Sequence, residues 1–181
     1  PSLFNLMTFA ASFIVEGALI IVAGIFLAKN EPSLSNWAIT TLVAGYLIYR
    51  RVSLILFSPI AGAIADRIGF SWLFNFSLLM IVAGLVLLLL GWVSVGMILI
   101  FPFNRVNSAM APGGASYNEA DKIKAVTTNA TWRDIGAAAG TLTGGFLLSG
   151  GLLFETFAMA TFILGMLLFI HFRKTITMQW N

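Results

Sequence analysis

Apolar runs of about 20 residues follow one another along this chain, separated only by short clusters of Pro, Gly, Asn and charged residues. The breaks are Lys29 to Asn36 with Pro32, Asp66 to Phe70, Gly91-Trp92, Pro112 to Asp121, and Gly150-Gly151. A run of that length crosses the hydrocarbon of a bilayer as one helix. Lipid offers no partner to an open backbone, which leaves helices or a closed barrel as the spanning structures. Barrel strands alternate polar and apolar residues, and these runs do not. The expected fold is therefore all-α and polytopic. It is a single six-helix transmembrane domain over 1–181, with spans near 3–28, 37–65, 71–91, 93–111, 121–149 and 152–172. All the breaks are short, so neighbouring helices should form antiparallel hairpins. A hydrophobic content of 59% against 9% charged residues places the chain far from soluble composition. The mean hydropathy of +0.96 agrees.

Charge placement carries more information than net charge. The formal net charge of +3 comes from ten Lys and Arg scattered between apolar segments, with no basic run of the kind that binds nucleic acid. They read instead as topology signals and buried functional charges. Arg67, Lys122, Lys124, Arg173 and Lys174 fall on one side of the expected membrane and only Lys29 on the other. The positive-inside rule then puts both termini and the Asp66 turn in the cytoplasm, and the expected location is the plasma membrane. Trp37 and Trp92 fall at the outer boundary and Trp72 and Trp180 at the inner one, where amphipathic rings anchor. Without cysteine, disulfides, thiolate metal sites and Cys nucleophiles are excluded. The first apolar run lacks the basic leader and short length of a secretory signal. The chain starts at Pro1 without an initiator Met, which reads as a piece of a larger protein.

A charge near the bilayer centre costs about 2.5–3.5 kcal/mol on the insertion scale unless it meets a partner or a wet cavity. Here Glu16 falls near the middle of the first span, Arg50 and Arg51 in the second, and Arg133 with Asp134 in the fifth; Arg105 lies off-centre in the fourth. Spans of similar length share a midplane, so these groups are expected at comparable depth. Steps of three or four back from Glu16 reach Ser12, Thr8 and Asn5, a polar stripe expected to line a cavity. Arg50 has Tyr46 and Ser53 on its face, whereas Arg51 is ringed by Leu47, Ile48, Leu54 and Ile55, so Arg50 is the better cavity candidate. Asn104, Arg105, Asn107 and Ser108 form a polar patch just after Pro102, which loosens a helix. Such a patch suits ligand hydrogen bonding. The expected substrate or proton-coupling residues are thus Glu16, Arg50, Asn104, Arg105, Asn107, Arg133 and Asp134. Glu16 is expected to pair with Arg50 when ionised.

Two further patterns concern close approach. Gly136, Gly140 and Gly144 recur every fourth residue, with Gly145 beside them, and form a helix-packing seam. Gly62 to Gly69 reads Gly-Ala-Ile-Ala-Asp-Arg-Ile-Gly, in which Asp66 and Arg67 end the lipid-soluble stretch and Gly69 frees the backbone to turn.

These motifs, in this order, resemble one six-helix half of a major facilitator superfamily transporter, over essentially the whole chain. The family's loop signature after its second helix, Gly-x-Leu-Ala-Asp-Arg-x-Gly, is matched at Gly62, Ala65, Asp66, Arg67 and Gly69. Ile64 stands for Leu, and Phe70 and Ser71 stand where basic residues are usual. Its helix-4 motif resembles Arg105 to Ala109, with Ser108 and Ala109 for the usual Gln and Gly. Its antiporter motif is similar to Gly136 through Gly145, with Thr141 for Pro. The resemblance implies alternating access about a midplane substrate site shared with a second six-helix half of the same polypeptide. Gly62, Asp66, Arg67 and Gly69 would then be a cytoplasmic gating loop, Asp66 facing a helix N-terminus of the other half. The degenerate motifs and the short basic tail fit the C-terminal half better. The function implied is secondary active transport of a small solute, with proton coupling through Glu16. The partners are that solute and the lipid bilayer. The alternative is a six-span channel or membrane assembly subunit. No cofactor, metal or enzymatic activity is expected, since the acidic residues are dispersed and no His or Cys cluster exists.

Overall fold

Hydrocarbon-length apolar runs become helices because each backbone group then finds its partner within its own segment. The computed structural model describes residues 2–116, 120–150 and 153–179, and among them every element is helical. Six helices follow in order: α1 Leu3–Asn30, α2 Asn36–Ile68, α3 Phe70–Leu89, α4 Val93–Ser116, α5 Lys122–Gly150 and α6 Leu153–Gln179. Four are long and apolar enough to cross a membrane, namely α1, α2, α3 and the stretch Phe154–Arg173 of α6, marking an integral membrane protein. The helices α4 and α5, of 24 and 29 residues, have the length but carry the Asn104 to Ser108 patch and the Arg133-Asp134 pair.

Helix ends follow local chemistry. Ser2 and Ser35 cap α1 and α2 by accepting the N–H of Asn5 and Ala38, both at 3.3 Å. Asp121 does the same for α5, accepting from Lys124 N–H at 3.0 Å. The α2–α3 turn closes on Gly69, whose φ of +91° suits glycine and whose N–H donates to Ala65 O at 2.9 Å. Two expected ends move, and one is that of α6, which runs past 172 to Gln179. Pro112 lies inside α4, which runs on to Ser116, because a proline near a helix end removes few hydrogen bonds. Trp37, Trp72 and Trp92 are exposed. Trp180, Gly151 and 117–119 lie outside the described residues.

The packing centres on α1, which is largely buried and touches α2, α4, α5 and α6. Against α5 the two backbones meet through glycine. A Cβ on Gly17 would come within 2.6 Å of Ala137 O, one on Gly136 within 2.5 Å of Phe9 O, and one on Gly140 would overlap Phe13 O. Gly84 and Gly96 join α3 to α4 in the same way, a Cβ on Gly96 falling 2.6 Å from Gly84 O. Tyr46 OH donates to Ser94 Oγ at 2.7 Å and Tyr49 OH to Ile98 O at 3.2 Å, tying α2 to α4. α6 closes over α1 through Phe26–Phe157 and over α3 through Phe74–His171.

Candidate functional site

The middle of α1 is a π-helical turn. From Ser12 to Ala18 the backbone widens, and Leu19 N–H donates to Ile14 O five residues back. Glu16 stands in this segment, and Gly17 beside it presses on α5 at Ala137 and Gly140. Such insertions often mark functional sites, since the extra residue re-aims the side chains around it.

Glu16 faces α4. Its Oε1 accepts from Asn104 Nδ2 at 3.3 Å and stands 3.5 Å from Arg105 Nη1. The two charged side chains are only 17% and 12% exposed, so the pair is largely shielded from solvent. Asn104 is buried. Arg105 Nε is also buried and has no hydrogen-bond partner among the described residues. An unpaired polar group in such a place costs about 1–3 kcal/mol, more for a charged one, so the pair is poorly explained as a stabilising device.

The expected pairing of Glu16 with Arg50 is not what forms. The carboxylate goes to Arg105, because α4 packs against both α1 and α2 and brings its own cation to Glu16. Arg50 remains half-buried and within Coulombic range of Arg105, Glu16 and Arg51. Arg105 in turn feels Arg51 and Arg133. Arg133 and Asp134 pair with each other at 3.2 Å on a more exposed part of α5. Among the described residues, neither Arg50 nor Arg51 makes an ion pair. The group therefore carries an excess of positive charge around one carboxylate.

Other candidates are placed elsewhere. Asn107 is buried and donates to Ser77 Oγ at 3.2 Å, so it joins α4 to α3. The stripe below Glu16 is not free to line a cavity along its whole length. Asn129 Nδ2 of α5 donates to Asn5 Oδ1 and Thr8 Oγ1, both at 3.0 Å. Gly136 and Gly140 lie in the α1–α5 contact and Gly144 approaches Ala18, whereas Gly145 is exposed with open space before it. Asp66, Arg67 and Gly69 are exposed and Gly62 is half-exposed, all in or just before the α2–α3 turn.

Three features escaped the sequence reading. The π turn has no compositional mark beyond Gly17. The Asn129 clamp was visible only as one polar residue on α5. His171 Nδ1 lies 2.9 Å from Asn75 Oδ1, bridging α6 to α3, and Asn75 was the available hint as an amide inside an apolar run. Next to that bridge lies a groove of about 640 Å³ between α3 and α6, with Trp72, Phe76, Phe169 and Phe172 in its walls and no charged lining residue among the described residues. Charge converges at Glu16 instead. Comparison with protein-family models, with curated proteins and with solved structures finds no match for this chain.

Proposed function

We propose that this chain is one six-helix half of a secondary active transporter of the major facilitator type, with the Glu16–Arg105–Asn104 group as part of its substrate or coupling-ion site. The observation carrying this reading is a carboxylate on a π-helical turn, inside an apolar bundle, sharing an arginine whose Nε has no partner. Charged groups at such depth are costly and mark ion or solute pathways. A carboxylate beside a cation has two arrangements, ion-paired or protonated and released, which is what coupling to a proton requires. The motif order from Gly62 to Gly145 adds the family resemblance, and with it a second six-helix half facing α2 and α5. Asp66 and Arg67, exposed at the turn, would meet that half as a gating loop. The C-terminal half and a cytoplasmic location for both termini belong to the same reading.

Full-length protein in proteoliposomes under an imposed pH gradient, screened with radiolabelled carboxylates, sugars and organic cations, tests it. Saturable accumulation of one of them is expected, with loss of the pH drive in Glu16→Gln. Absence of uptake across the panel, or a current rising linearly with concentration, would remove the reading, the second in favour of a channel.

A further inference from the structure

Arg105 is a fork with one prong in use. Nη1 stands against Glu16 Oε1 at 3.5 Å, a long contact for a charge-assisted bond, while Nε is buried without an acceptor. A guanidinium presents its donors in a plane that matches two oxygens of one oxyanion, and Glu16 meets it through only one. Arg50 adds an unpaired, half-buried cation on the neighbouring helix. No second carboxylate forms an ion pair with Arg105 among the described residues. The donors on offer exceed the acceptors.

We infer that Glu16 is an internal competitor for the ligand position, and that the ligand is an oxyanion, a carboxylate or phosphate, which displaces the Glu16 carboxylate from Arg105. The incoming group takes Nη1 together with Nη2, the two ends of the fork, and Arg50 compensates the displaced Glu16 carboxylate. Asn104 Nδ2, now on Glu16, is placed to serve either occupant. The exchange is one anion for another at the same cation, so the charge of the guanidinium remains compensated throughout. This rests on the transporter reading for its purpose but not for its chemistry.

The test is equilibrium binding, read as the thermal unfolding midpoint of purified full-length protein in detergent against succinate, inorganic phosphate, glucose and tetraphenylphosphonium. Succinate or phosphate should raise the midpoint saturably, and glucose and the organic cation should not. Arg105→Gln should weaken that binding by about tenfold or more, as truncation of a buried charge pair does. If Arg105→Gln does not fold, Arg105→Lys keeps the charge, lacks the two-pronged fork and should still weaken binding. The discriminating variant is Glu16→Gln, which removes the competitor and should tighten anion binding; a merely structural Glu16 would leave it unchanged or weaker. Unchanged or weaker binding in Glu16→Gln overturns the inference, as does the lack of a saturable response to both anions. Saturable anion binding without flux in proteoliposomes would keep the inference and end the transporter reading. Flux of glucose or the organic cation without anion binding would do the reverse.

Discussion

The carbonyl of Phe13 on α1 occupies the place where a side chain on Gly140 of α5 would have to stand. Both neighbours of that contact are backbone, so neither can swing away. Gly140→Ala should therefore destabilise the bundle by about 1–3 kcal/mol, the usual cost of overpacking. Gly145→Ala, five residues on but facing open space, should stay within about 0.5 kcal/mol of the parent. Unfolding in mixed micelles with increasing denaturing detergent measures both, and equal effects would contradict a closed α1–α5 seam.

Asn129 holds two acceptors on α1 with one amide nitrogen. Removing it in Asn129→Ala takes the amide donor from half-buried Asn5 and leaves buried Thr8 with its bond to Phe4 O alone. The expected loss is about 0.6–1.7 kcal/mol, the range found for polar contacts between membrane helices. A double-mutant cycle with Asn5→Ala should show coupling. Strict additivity would mean that the two residues act independently.

The turn at Gly69 depends on a positive φ. Gly69→Val should cost about 1–3 kcal/mol from backbone strain alone, whereas Gly62→Ala, with no atom near its missing Cβ, should be nearly neutral. The same unfolding assay separates them. Comparable stability of the two variants would show that the turn has another way to close.

A chain without cysteine is ready for accessibility mapping. Ser33→Cys before α2 and Arg67→Cys at its far end should react with a membrane-impermeant maleimide from opposite sides. Labelling of both from one side would refute a membrane-crossing α2 and the orientation drawn from the positive charges.

Much of the architecture was legible because its causes are local. Whether a run from Leu3 to Asn30 becomes a helix depends on the cost of leaving its own backbone unsatisfied in lipid, and that can be read one segment at a time. The turn at Gly69 and the small face at Gly136 and Gly140 are local in the same sense, since absence of a side chain is written in the residue itself. The identities of Glu16, Arg50 and Arg105 as costly interior charges were also visible, because each interrupts an apolar run.

Which charges meet is decided by helix rotation and axial offset, and no single segment carries that information. Backbone contact at Gly17 and Gly140 fixes α1 on α5, Gly84 and Gly96 fix α4 on α3, and the tyrosines of α2 fix its lean on α4. Those contacts together bring Arg105 rather than Arg50 to Glu16 and bind Asn107 and Asn129 into packing networks. The π turn belongs to the same level, since it adds one residue to α1 where α1 meets α5. Transfer from water to lipid is summed residue by residue and is readable in one dimension, whereas an ion pair is a coincidence of positions that exists only after the helices have closed on one another.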